Sequence, residues 1–504
     1  MEFILKPGHL TYSEIKILLN ESTTLTIDPT YHANILASEK IIANVLLQNK
    51  TVYGINTGFG SLAHKKIDYD HLEKLQHSLI LSHAAGTGEF FSDTIVRLIL
   101  VLKINSLARG FSGIRLKIID ALVRLFNARI YPCIPSKGSV GASGDLAPLA
   151  HLSTILFGIG EVRYEGKILS ASEGLHLAGL QPFSLAPKEG LALLNGTQVS
   201  TALALLGIIE AENIFIHALI AGALSVEAAL GSRKPFDERI QTVRGHETQQ
   251  TVARILRELL RDSTIGDSHA SCEKVQDPYS LRCQPQVMGT CLAHLLFAKN
   301  TLIIEANAVS DNPLIFSADN DIISGGNFHA EPVAMAADTL ALSIAEMGSL
   351  SERRIALLID HHFSGLPSYL VNNPGINSGF MGAQITAAAL VSENKCLAHP
   401  ASIDSIPTAA NQEDHVSMAT YGARRLLTMT ENAANIVAIE LLAACQGIDL
   451  RRPLKTSPPL EKIHKQLRSC IPFYDKDRYF AADIVTARSL IFSKKLSQLG
   501  GIHL

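Results

Sequence analysis

Four stretches of this chain repeat apolar residues at helical spacing for longer than an ordinary globular helix runs: residues 201–230, 286–309, 332–359 and 416–445. Each is rich in Ala and Leu and free of proline after its start. In the third, Leu340, Ile344, Met347 and Leu350 fall three and four residues apart and define one face. Several long helices must bury such faces against one another, so the pattern predicts a bundle within an oligomer.

Before residue 195 the texture differs. Glycine-containing loops at 53–60 and 138–144 alternate with shorter helical runs at 95–108 and 146–157. Residues 161–169 (EVRYEGKIL) alternate about Gly166 and predict a small hairpin. The fold class is therefore mainly α, with a loop-rich N-terminal region at 1–194 and a long-helix bundle at 195–504. Turn clusters such as Asp311-Asn312-Pro313 and Ser324-Gly325-Gly326-Asn327 separate the long helices. Loops of this kind often present site residues.

Composition narrows the class. The 504 residues are 47% apolar, which excludes disorder and allows a core without disulfides or metals. A net charge of −3 argues against nucleic-acid binding, which needs a basic stripe. Cys133, Cys272, Cys283, Cys291, Cys396, Cys445 and Cys470 form no CxxC pair and are odd in number. They suit reduced thiols in a cytoplasmic protein. The best candidate for a membrane span, 191–209, is interrupted by Asn195, Gly196, Thr197, Gln198, Ser200 and Thr201, so no span is expected.

The run GSVGASGD at 138–145 fits none of the common glycine motifs. A phosphate loop needs Lys and Ser/Thr after its last Gly, where Asp145 stands; a nucleophile elbow around Ser143 needs Gly at that same place. No HExxH is present and no metal is expected. The tripeptide Ala142-Ser143-Gly144 nevertheless has a chemistry of its own. In a tightly bent backbone the Gly144 nitrogen can attack the Ala142 carbonyl carbon and close a five-membered ring. Small Ala142 and a Gly144 without Cβ keep crowding low. Loss of water from the ring and from the Ser143 hydroxyl leaves an exocyclic methylidene, a strong electrophile. Asp145 stands beside it as a proton carrier for the two dehydrations.

The segment GSVGASGDLAPLAH at 138–151 resembles the signature of the aromatic amino-acid ammonia-lyases, which form a methylidene-imidazolone in this way. The resemblance covers essentially the whole chain. It includes YGINTGFG at 53–60, LSHAAG at 81–86, LNGTQ at 194–198, QDPYSLRC at 276–283, GNFHAEP at 326–332 and NQEDHVSM at 411–418. Ala330 and Ala409 depart from the family pattern, where Gly and Ser are expected, and neither carries a reacting group.

The resemblance implies a fold of the fumarase/aspartase-like superfamily, no external cofactor, and a homotetramer with composite active sites. Tyr53, Ser143 and Tyr279 would come from different subunits. L-Histidine is the implied substrate, indicated by the Ser82-His83 and Gln412-Glu413 pairs, with trans-urocanate and ammonia as products. A phenylalanine or tyrosine lyase, or an aminomutase, is the alternative. Tyr53 and Tyr279 are implied to approach the cofactor as base and matching acid. Arg282 offers a planar fork for the substrate carboxylate. Asn195, read locally as a cap opening a long helix, and Gln276 are implied to hold cofactor or substrate. Phe328 would bound the aromatic pocket. His83 and Glu413 would select the ring, and Glu413 would also act as a base. By local pattern alone, Glu413 precedes a helix beginning near His415, where an acid is favoured.

Overall fold

The computed structural model describes residues 1–48, 50–269 and 275–502, so Cys272 lies outside the described residues. Helix accounts for 60% and strand for 8%, which makes the chain mainly α. The four long segments form helices at Gln198–Ala228, Gln284–Ala306, Glu331–Ile359 and Ala419–Leu450. The shorter ones form at Asp93–Leu107 and at Leu146–Thr154, the latter followed by a 3-10 turn at Ile155–Phe157. The hairpin pairs Glu161–Tyr164 with Lys167–Ser170. Its two turn residues, Glu165 and Gly166, both have positive φ (49° and 76°), the geometry that matches the twist of antiparallel strands.

The chain divides into two compact units. The first comprises Met1–Leu206, Lys299–Asp338 and Pro400–Arg424. The second comprises Gly207–Ala298, Thr339–His399 and Arg425–Leu504. These lines differ from the change of texture at residue 195, because the units follow packing, and packing gathers three separated segments into each.

Within the second unit, the long helices close around a buried ion pair. Arg354 Nε and Nη2 donate to the two oxygens of Glu440 at 2.5 and 2.8 Å. Ser225 Oγ and Ser351 Oγ donate to the same oxygens at 2.7 and 2.5 Å. All four side chains are fully buried. By length and composition, each of the four long helices could cross a membrane. That corrects the expectation taken from 191–209: the helix starts at Gln198, leaving Asn195, Gly196 and Thr197 outside it, and its 31 residues contain a window apolar enough to span. The most apolar windows of three of them are 72–83% buried inside the fold; that of Gln284–Ala306 is 39% buried.

Candidate active site

The site is built in the first unit around Ala142-Ser143-Gly144. Two residues with αL-like φ bend the loop, Gly141 (65°) and Gly144 (74°). Gly144 lies against Gly196, and the Asp145 N–H donates to the Gly196 carbonyl at 2.7 Å. A Cβ on Gly144 would stand 2.2 Å from that oxygen, so only glycine fits. Below the loop, Asp145 is fully buried. Its Oδ2 accepts from the Ser200 N–H and hydroxyl at 2.8 and 2.9 Å, and its Oδ1 accepts from Thr420 Oγ1 at 2.5 Å. Burial pushes the Asp145 carboxyl above the usual carboxylate range, while these bonds pull it back.

Asn195 is not the cap of a long helix. The preceding helix, Glu189–Leu194, ends there, Asn195 is extended, and Gly196 has φ 130°. The new helix begins only at Gln198. This break frees the Asn195 side chain, whose Nδ2 donates to the Ser143 carbonyl at 2.7 Å. Its Oδ1 is buried without a protein partner.

Glu413 likewise owes its place to a turn rather than to a helix start; the next α-helix begins at Ala419. Thr408 and Glu413 pair as a short antiparallel bridge. Between them Ala409, Ala410 and Asn411 all take positive φ (49°, 57° and 65°). Three successive non-glycine residues in that region are strained. The turn aims the carboxylate inward: Oε1 accepts from the Ser143 hydroxyl at 2.8 Å and Oε2 accepts from Thr408 Oγ1 at 2.6 Å. Thr408 has no counterpart among the residues singled out from the sequence. It lies three residues ahead of the NQEDHVSM block, and only the fold shows what it holds.

A cavity of about 680 Å³ opens over the tripeptide. Tyr53, His83, Ala142, Ser143, Asn195, Phe328 and Glu413 all line it. Tyr53 and Ser143 therefore meet within one chain, which corrects the expectation that different subunits supply them. The Tyr53 phenol is pushed up by burial, with a contribution from the Glu413 charge and against a backbone bond at Gly60, so it holds its proton. His83 ends the helix Leu72–His83, and its Nδ1 meets the Leu79 carbonyl at 2.8 Å. A carbonyl can only accept, so Nδ1 carries a hydrogen and Nε2 is the ring nitrogen left for the cavity. Across the site, His329, Glu331 and His415 bring one ligand atom each within 4.8 Å of one another. Both ring nitrogens of His329 already contact backbone groups, the His415 carbonyl and the Glu331 N–H.

Gln276, Tyr279 and Arg282 are not among the residues lining this cavity. They belong to the second unit. Tyr279 is 70% exposed, with the Arg282 guanidinium 4.7 Å from its ring centre, and Gln276 is exposed. Arg282 Nε is buried without a partner.

The chain as a whole has counterparts among known proteins. The sequence pattern of the aromatic amino acid lyases matches residues 10–469, and the chain belongs to that family. It is 62% identical over 492 residues to the histidine ammonia-lyase of Vibrio cholerae, covering 97% of this chain and 96% of that one. The crystal structure of histidine ammonia-lyase from Trypanosoma cruzi superposes with a TM-score of 0.92 at 42% identity, over 99% of this chain and 95% of that one. Tyrosine aminomutase from Streptomyces globisporus also gives 0.92, at 34% identity, over 98% and 97%.

Proposed function

We propose that this chain is a histidine ammonia-lyase that converts L-histidine to trans-urocanate and ammonia. The observation that carries the proposal is the meeting of His83 and Glu413 in the cavity over Ser143. The fold does not select the substrate, since an aminomutase of tyrosine shares it; the groups facing the ring do. Phenylalanine would leave Glu413 and His83 desolvated without partners, and a site built for hydrogen bonds rejects an analogue lacking them.

The residues fit a methylidene-imidazolone made from Ala142, Ser143 and Gly144. Gly144 is pressed on Gly196, where no Cβ fits, and the Asn195 amide holds the Ser143 carbonyl. Ring closure joins the Gly144 nitrogen to the Ala142 carbonyl carbon. The first water takes that carbonyl oxygen; the second takes the Ser143 hydroxyl and its Cα hydrogen. The buried Asp145, whose carboxyl is raised, is placed to carry protons. When formed, the group supplies an electrophilic carbon that activates the substrate for loss of ammonia.

The remaining chemistry belongs to side chains. The Glu413 carboxylate accepts the imidazole N–H, His83 complements the other ring nitrogen, and Phe328 bounds the ring. The Tyr53 phenol, protonated in its buried place, donates toward the departing amine. Glu413 and Tyr279 are the bases available for the β-proton. Arg282 binds the substrate carboxylate, and Gln276 supports it. The β C–H and α C–N bonds break and one C=C bond forms, with no net oxidation.

Since Gln276, Tyr279 and Arg282 do not line the cavity of their own chain, we assign them to a neighbouring subunit in a homotetramer. Mixed assemblies of inactive Ser143→Ala and Tyr279→Phe chains should regain activity. The fold class extends to the fumarase/aspartase-like superfamily, and the protein works in the cytoplasm without membrane or nucleic-acid partners. The test is incubation with L-histidine, L-phenylalanine and L-tyrosine while following ultraviolet absorbance and ammonia. Urocanate should form and the cinnamates should not; turnover of phenylalanine or tyrosine in preference to histidine would replace this assignment with the alternative.

A further inference from the structure

The helix Asp93–Leu107 is buried along nearly its whole length, and Lys103 sits in it with 1% of its surface exposed. Among the described residues no carboxylate is within hydrogen-bond reach of its ammonium. Lys103 Nζ donates instead to the Asn195 carbonyl at 2.8 Å and, at 3.4 Å, to Gln198 Oε1. The nearby Asp311 is committed to Lys188 at 2.7 Å and to the Ser112 hydroxyl at 2.9 Å. Burial therefore pulls the Lys103 ammonium down to about 7, with Asp311 and Asp145 acting only through space in the opposite direction.

A buried cation spent on a neutral carbonyl is a poor way to stabilise a core. Its position gives it another use. The Asn195 carbonyl belongs to the extended residue between two helices. The Asn195 side chain holds the Ser143 carbonyl, and the next residue, Gly196, is the wall against which Gly144 and Asp145 lie. The far side of the same turn is pinned by Ser310, which accepts from the Thr197 N–H at 3.2 Å and from Gln198 Nε2 at 2.9 Å. Lys103 is the group that fixes the Asn195–Gly196 peptide plane.

We propose that Lys103 is a positioning residue for maturation of the tripeptide: by gripping the Asn195 carbonyl it sets the surface on which Ser143 and Gly144 are folded for ring closure. The proposal rests on the cofactor assignment above. Lys103 touches neither substrate nor the reacting atoms; it acts through Asn195 and Gly196.

The test follows dehydration of the tripeptide by peptide mass after synthesis, beside circular dichroism and the thermal midpoint. In folded Lys103→Met, loss of the two waters should slow about a hundredfold, as a small misplacement near a reacting group can. Lys103→Arg, which keeps a donor, should recover much of the rate. Lys103→Gln, too short to reach the Asn195 carbonyl, should behave as the Met variant and carries the test if that variant does not fold. Folded Lys103→Met or Lys103→Gln that dehydrates at the wild-type rate overturns the proposal. Failure of both to fold assigns Lys103 to core stability and overturns it too. If the wild-type peptide itself has lost no water, the cofactor assignment fails first.

Discussion

Charges are buried in both units, and those beside the tripeptide in the first are held differently from the Arg354–Glu440 pair of the second, although the first unit also closes one buried pair, Lys188–Asp311. In the second unit Arg354 meets Glu440 on two bonds, and Ser225 and Ser351 complete the carboxylate's shell. In the first, Lys103 ends on a peptide carbonyl, Asp145 on hydroxyls and an N–H, and Asn195 Oδ1 on no protein group. The strained turn at Ala409, Ala410 and Asn411 belongs to the same unit. A closed pair fixes how helices pack. An open set of charges and a strained turn persist where the surroundings hold reacting groups in place. Removing a partner should therefore cost stability in the second unit and activity in the first.

The largest effects are expected at the cavity. Glu413→Gln should lower kcat/KM for histidine by about 10²–10⁴-fold, the usual contribution of a positioned acid or base. Glu413→Ala with His83→Leu should move the histidine-to-phenylalanine ratio of kcat/KM toward phenylalanine. An unchanged ratio would place selectivity elsewhere. In the second unit, Glu440→Gln strands the Arg354 charge and should cost about 3–5 kcal/mol in denaturant unfolding. Its surviving folded fraction should keep near-normal kcat.

A pH experiment sharpens the contrast on the stability side. His217 is buried in the second unit, its Nδ1 bonded to the Asn213 carbonyl, and burial pulls its imidazole down to about 4. Between pH 6.5 and 4 the unfolded chain takes up a proton that folded His217 does not. Its contribution thus lowers stability as pH falls through that window, by about 3 kcal/mol at ~1.4 kcal/mol per pH unit. His217→Gln should flatten this part of the curve; an equally steep loss in the variant would exclude His217 as its source. The smallest effect belongs to Thr408. Thr408→Val frees one oxygen of Glu413 and should cost about 1 kcal/mol in transition-state binding, read as a fall of several-fold in kcat/KM. Thr408→Ser, which keeps the hydroxyl, should restore it.

The long helices were legible because apolar spacing continues through them without proline, and the hairpin because alternation turns about Gly166. The tripeptide was legible because its chemistry depends on three adjacent residues. What the sequence hid depends on backbone angles and on distant segments. LNGTQ reads equally as a capped helix start or as a break, and only the φ of Gly196 decides. Alanines do not announce left-handed φ, so the turn that aims Glu413 is invisible in Thr408–Glu413 itself. Lys103 sits in a helix of otherwise mostly apolar residues, and its purpose appears only once Asn195, far along the chain, is brought to it. Tyr279 and Arg282 were singled out by resemblance alone, and the fold of one chain leaves them outside the cavity over Ser143.

The central claim is that this cavity works through an electrophile made from Ala142-Ser143-Gly144. It is tested most directly by the mass of the peptide carrying the tripeptide, isolated from protein that turns over L-histidine. The account predicts a peptide lighter by two waters in wild-type protein, and in folded Ser143→Ala a peptide that cannot lose the second water and a protein with almost no turnover. An unmodified tripeptide in fully active protein would contradict it.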